Sequence, residues 1–143
     1  MTGTLLMPVL HTADPLPQPL VNAVLIVASD LSLPTDWLNS GPTSLLTEGL
    51  PEWLEKRLHR QQFGDRLTVY FIDRYDQICF KTYAIINGGG MRHLIDLRAL
   101  QPTDDEILAA VQWSATQDAA DFFPDLIRNV LRNIGYPDVA DRL

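Results

Sequence analysis

Apolar positions along the chain fall into short runs divided by proline- and glycine-rich breaks. Val24-Leu25-Ile26-Val27 is continuous and partly β-branched, which predicts a strand buried on both faces. Residues 29–43, with Ser29, Asp30, Pro34, Asn39, Gly41 and Pro42, predict a loop. A helical turn is expected to begin at Thr43 or Ser44, and a better helix at Pro51 that stops near Gly64. There Leu50, Leu54 and Leu58 recur every four residues beside Trp53, with Glu52 and Lys56 paired on the wet side. Residues 67–72 are rich in strand formers, residues 73–76 read as a turn, and residues 78–86 as another strand. Asn87-Gly88-Gly89-Gly90 predicts a β-hairpin turn, because Asn and Gly tolerate positive φ, and residues 91–97 are the return strand.

A turn at Gly88-Gly89 fixes the register of that hairpin. Lys81 faces Asp96, Phe80 faces Leu97, Thr82 faces Ile95, Ala84 faces His93 and Cys79 faces Arg98. Ile78, Phe80, Thr82, Ala84, Ile86, Met91, His93, Ile95 and Leu97 then share a mostly apolar core face, and Lys81, Arg92, Asp96 and Arg98 the other.

The C-terminal third carries the clearest local signal. Thr103 and Glu106 fit a capping box, with Asp104 and Asp105 in the first turn where the dipole favours acids. Ile107, Leu108, Val111 and Ala115 give that helix an apolar face. A second helix is expected from residues 121–124 onward, with Leu126, Ile127, Val130, Leu131 and Ile134 at helical spacing, Gly135 as terminator and Pro137 preventing continuation. The expected fold is a single α/β (α+β) domain over 21–143 in the order β-α-β-β-β-α-α. A four-stranded mixed sheet is packed by helices and preceded by an extended arm over 1–20, where Pro8, Pro15, Pro17 and Pro19 argue against helix.

Charge changes the picture more than composition does. Residues 1–52 hold five acids and no Lys or Arg, residues 53–101 eight bases against five acids, and the remainder eight acids against three arginines. A basic island thus lies between acidic flanks in a chain of net charge −7. A pI near 4.7 argues against nucleic acid as the main partner. The longest apolar run is too short to span a bilayer, so no membrane insertion is expected. No basic residue precedes the apolar residues 5–10 and no cleavage site follows, which argues against a signal peptide. One cysteine, Cys79, excludes an internal disulfide and fits a reducing, cytoplasmic compartment.

Candidate chemistry is sparse. His11, His59 and His93 have no ligand-like spacing, so no metal or cofactor is expected. In the hairpin register Asp96 points away from His93, and His93 away from Cys79, which leaves no dyad and no catalytic residue to name. Between two strands, Gly88-Gly89-Gly90 is a turn and not a phosphate cradle, which requires a helix to follow.

The function expected is a non-enzymatic protein-interaction module: an assembly factor, a chaperone-like adaptor or an accessory subunit. Its partner-binding candidates are Trp37, Trp53, Lys81, Arg92 and Arg98. The alternative is a small enzyme or ligand-binding α/β domain using Ser29 and Asp30 after the first strand. The segregated charge and the tryptophans, with Trp37 in a loop, suggest a homodimer.

Overall fold

The computed structural model describes residues 7–8, 16–39, 49–65, 67–117 and 123–143, which fall into two compact units, Met1–Leu50 and Pro51–Leu143. Among the described residues the expected four-stranded sheet is not formed. Helices make up most of the described residues, with one two-stranded antiparallel hairpin and a two-residue parallel pairing.

In the first unit, β1 (Met7–Pro8) pairs in parallel with β2 (Leu38–Asn39), and α1 (Gln18–Leu31) lies between them in sequence. The run at residues 24–27, expected as a strand, belongs to this helix. Its wider surroundings explain why. Leu20, Val21, Val24, Val27 and Ala28 form an i, i+1, i+4, i+7, i+8 stripe that is buried or half-buried, as one face of a helix demands. Pro17 and Pro19 stand at the N-cap and in the first turn, where proline fits and no intrahelical donor is lost. The helix ends on Ser32 at φ 52. Of the arm expected over 1–20, residues 1–6 and 9–15 lie outside the described residues, and residues 18–20 already belong to α1. His11, Thr43 and Ser44 also lie outside the described residues.

In the second unit, the helix expected from Pro51 to Gly64 is replaced. A single 3-10 turn, Leu54–Lys56, buries Leu54, and β3 (His59–Phe63) follows. Gly64, at φ 61, forms the bend to β4 (Leu67–Phe71) and does not end a helix. The register is antiparallel, with Arg60 opposite Tyr70 and Phe63 opposite Leu67. Residues 59–62 are polar and lack strand formers, so the strand state of β3 comes from pairing with β4 and not from propensity.

The strands expected at 78–86 and 91–97 are helices: α2 (Arg74–Ile86) and α3 (Met91–Ala99). Asp73 caps α2, its carboxylate accepting from the Tyr75 amide at 2.8 Å. At the far end the Gly88 amide donates to Ile85 O at 3.1 Å and the Gly89 amide to Ala84 O at 2.7 Å, with Gly88 at φ 80. That is a Schellman motif, so the glycine run turns one helix into the next.

Then come α4 (Asp104–Ala115), with the expected Thr103/Glu106 capping box fully formed, α5 (Phe123–Ile134) and α6 (Pro137–Asp141). Pro137 opens α6, and Gly135 breaks the chain before it at φ 100. Helix α2 packs chiefly on α4 and α3, while α6 lies against α5 and α4. Ile78, Leu97, Ile107, Val111, Leu131 and Val139 fill the core, and Trp113 meets Phe80 and Tyr83 at ring-centroid distances of 5.6 and 5.7 Å.

Candidate functional site

The outward side of α3 combines two properties that its sequence could not show while it was read as a strand. At about 100° per residue, Arg98, Met91, Ile95, Ala99 and Arg92 follow one another around an arc of about 120°. All five are exposed, Met91 at 68% and Ile95 at 60%. The two large apolar side chains form a ridge and an arginine stands on each flank. The opposite side of the helix, with Leu97 fully buried and Leu94 half-buried, holds α3 to the core.

The one carboxylate of α3, Asp96, sits at the edge of this arc, and Lys81 Nζ on α2 donates to it at 2.6 Å. Helices α2 and α3 run out from and back to one tight turn, so positions equally distant from it meet. The strand register had placed Lys81 and Asp96 opposite each other; the ion pair exists, but between two helices. Asp104 belongs to the first turn of α4 and is felt by Tyr136, whose hydroxyl is pushed up by burial and by Asp104 and pulled down by Arg98.

The turn that sets this arc leaves no cradle for phosphate. A helix does follow Gly90, contrary to expectation, but the Gly88 and Gly89 amides are spent on the carbonyls of α2. Gly89 is also confined. A Cβ there would run into the Ala84 carbonyl and stand 2.9 Å from His93 Cδ2. His93 lies half-buried on α3, its Nδ1 without a hydrogen-bond partner among the described residues, and burial, then Lys81, push its pKa down.

A second cluster joins the base of the hairpin to the start of α2. Asp76 is fully buried and takes both Arg57 Nη2 at 2.5 Å and Nε at 3.1 Å. Arg57 also donates to Glu52 O at 2.8 Å and lies 5.1 Å from the Tyr75 ring centroid. His59 Nε2 stands 3.1 Å from Asp73 Oδ2. The Tyr75 amide, then His59, hold that carboxyl below its usual range. Cys79, one turn further along α2, is buried and its thiol is pushed up to about 11, chiefly by desolvation, so it is protonated and shielded. Its expected neighbour across a sheet, Arg98, is on a different helix face. The Arg57/Asp76 and His59/Asp73 pairs were missed because residues 51–64 were read as a helix and 73–76 as a turn. The usable signal was Asp73, an N-cap residue ahead of Tyr75, Ile78, Cys79, Thr82 and Ile85 at helical spacing.

The other candidates separate. Trp37 is half-buried and its Nε1 donates to Val24 O at 3.0 Å, so it braces α1 within its own unit. Trp53 is 53% exposed at φ 63, with Lys56 Nζ 3.7 Å above its ring. Ser29 and Asp30 are exposed on the last turn of α1. They are part of a helix and do not follow the end of a strand at residues 24–27, which was the basis of the ligand-loop reading. Among the described residues no group of three or more His, Cys, Asp or Glu is arranged to hold a metal, and no helix is long and apolar enough to cross a membrane. Comparisons with protein-family models, with curated proteins and with solved structures find no match to the chain.

Proposed function

We propose that the chain is a non-enzymatic protein-interaction module, an assembly factor, chaperone-like adaptor or accessory subunit, that docks through the outward face of α3. The observation that supports this reading is the ridge of Met91 and Ile95 between Arg92 and Arg98, all exposed on one helix face. Exposed apolar side chains grouped with arginine are the usual anchors of an interface, whereas lone exposed apolar residues carry no such meaning. The shielded thiol of Cys79 supports it further, and its lone cysteine suits a reducing cytoplasm.

A photo-crosslinking side chain at Ile95, in the full chain expressed in its native host, tests the reading. A discrete crosslinked protein from position 95, absent when the same group replaces exposed Gln112 on α4, is expected. Equal labelling from both positions, or none, refutes it.

Self-association belongs to the same reading. Trp53, Phe63, Leu67 and Tyr70 are exposed around the hairpin and favour a homodimer held by apolar contacts. Light scattering behind size exclusion is expected to give a dimer mass that Trp53→Ser together with Tyr70→Ser halves; a monomer mass for the unaltered chain rejects the dimer.

A further inference from the structure

The hairpin has one edge that nothing protects. Among the described residues β4 is bonded to β3 on one side and to no strand on the other. Building on the homodimer proposed above, we infer that a second copy of the chain joins at this free edge of β4, antiparallel, so that two hairpins make one four-stranded sheet in the order β3-β4-β4-β3.

The two edges of the hairpin differ. β3 carries His59 and Arg60, and charged side chains on an edge strand resist pairing. Leu67–Phe71 has no charge, proline or glycine, and its Thr, Val, Tyr and Phe are strand formers. Leu67, Val69 and Phe71 share one face with Phe63, since Phe63 lies opposite Leu67 and side chains alternate along a strand. Neither strand is packed along a described helix, and a two-stranded hairpin alone is marginal in water. Further strands supply what the hairpin lacks.

The residues of β4 favour its own copy as the occupant. About a two-fold axis at Val69, Val69 meets Val69, Thr68 meets Tyr70 and Leu67 meets Phe71 of the other copy. Every cross-strand pair is then apolar, β-branched or aromatic, the contact closes as an isologous dimer, and the two apolar faces join on one side of the sheet. Charge points the same way. Each copy carries a net charge of −7, so two copies repel at long range, and contact is least opposed where the strand itself has no charge. Beyond the strand ends this register brings Asp65 toward Asp73 of the other copy. Asp73 already accepts from the Tyr75 amide and stands 3.1 Å from His59 Nε2. Arg66 lies outside the described residues.

Light scattering of the unaltered chain comes first, and a monomer mass overturns this inference together with the homodimer. Given a dimer mass, differently tagged Thr68→Cys and Tyr70→Cys chains are mixed, allowed to exchange and mildly oxidised, with the unaltered chain, whose Cys79 is buried, as the blank. The mixed disulfide is expected to form at least about fivefold faster than either like-with-like disulfide, because directly opposite residues are within disulfide reach and diagonal ones, about 7–8 Å apart, are not. Circular dichroism melts check that both variants fold. Equal rates, or no disulfide from a folded dimer, overturn the edge pairing and leave the homodimer to another surface. Added salt is expected to strengthen the dimer of the unaltered chain by screening the repulsion between copies. A dimer that salt dissociates is held by ion pairs and overturns the edge pairing as well.

Discussion

Replacing Arg57 and Asp76 singly and together should give a reversal of sign. Asp76 is fully buried, while Arg57 is 27% exposed. The two ends of this pair therefore differ in how well they survive alone. In Arg57→Ala the Asp76 carboxylate remains in the core with its two strongest donors gone. Removing one partner of a buried pair costs about 3–5 kcal/mol, and the nearby amides of the first turn of α2 place this case near 3 kcal/mol. In Asp76→Ala the guanidinium swings toward water and keeps its bond to Glu52 O, so the cost is about 1–2 kcal/mol. The double variant has no buried charge to strand, and is expected near 2 kcal/mol below the parent. Asp76→Ala thus destabilises the parent but stabilises Arg57→Ala by about 1 kcal/mol. Urea unfolding near neutral pH, followed by circular dichroism with a shared m-value, reads these differences directly. If Asp76→Ala destabilises both backgrounds by similar amounts, the carboxylate is not held as a buried charge and the reasoning fails.

Gly89→Ala should cost about 1–3 kcal/mol through the clash with the Ala84 carbonyl, and Gly88→Ala about 1 kcal/mol from its left-handed φ alone, with the order checked by thermal melts. Leu131→Ala and Ile127→Ala should each cost about 2–5 kcal/mol in urea melts, since both side chains are buried; less than about 1 kcal/mol for both would place α5 outside the core. Glu106, held at about 2 by Arg74 and then by the Thr103 amide, contributes stability that is present above about 4.5 and lost as pH falls toward about 2. Discounted for solvent screening this is about 1 kcal/mol, and Glu106→Gln should flatten the fall of melting temperature across that window. Cys79 should react with a disulfide reagent at mildly alkaline pH only as fast as the chain unfolds, and prompt labelling of the native protein would contradict its burial.

The parts of the fold that were legible in the sequence are those whose signal is local and unambiguous. The Thr103/Glu106 box and Gly135 mark helix ends by chemistry that acts within one turn, and both are where they were expected. Residues 67–71 form a strand because Val, Tyr, Phe and Thr favour one. Residues 78–86 were ambiguous for a physical reason. Ile78, Phe80, Thr82, Ala84 and Ile86 satisfy a period of two, while Tyr75, Ile78, Cys79, Thr82, Ile85 and Ile86 satisfy a period of 3.6. Short apolar stretches often satisfy both, and the tie is broken outside them, by the Asp73 cap. In α1 the mistake was one of window: four residues look like a buried strand, fourteen show a helical stripe. Strand β3 could not be read at all, since its state depends on a partner strand and not on its own side chains.

The same ambiguity bears on the docking face. In the strand reading, Met91 and Ile95 pointed into the core and Arg92 and Arg98 pointed out, so the apolar and basic residues lay on opposite sides. The Schellman turn at Gly88 and Gly89 lets a helix start at Met91 and rotates successive side chains by about 100° in place of 180°. That change alone brings Met91 and Ile95 out between Arg98 and Arg92, while Leu97 takes the core position. The apolar ridge and its flanking arginines are consequently a product of the turn as much as of the four side chains. Helix α3 is short, and isolated helices of its length are marginal in water, so the face exists only while Leu94 and Leu97 hold it to α2 and the turn keeps its hydrogen bonds. Loosening Gly89 should therefore weaken crosslinking from position 95 even though Gly89 lies outside the arc, and crosslinking that persists in a folded Gly89→Ala chain would show that the face does not need the turn.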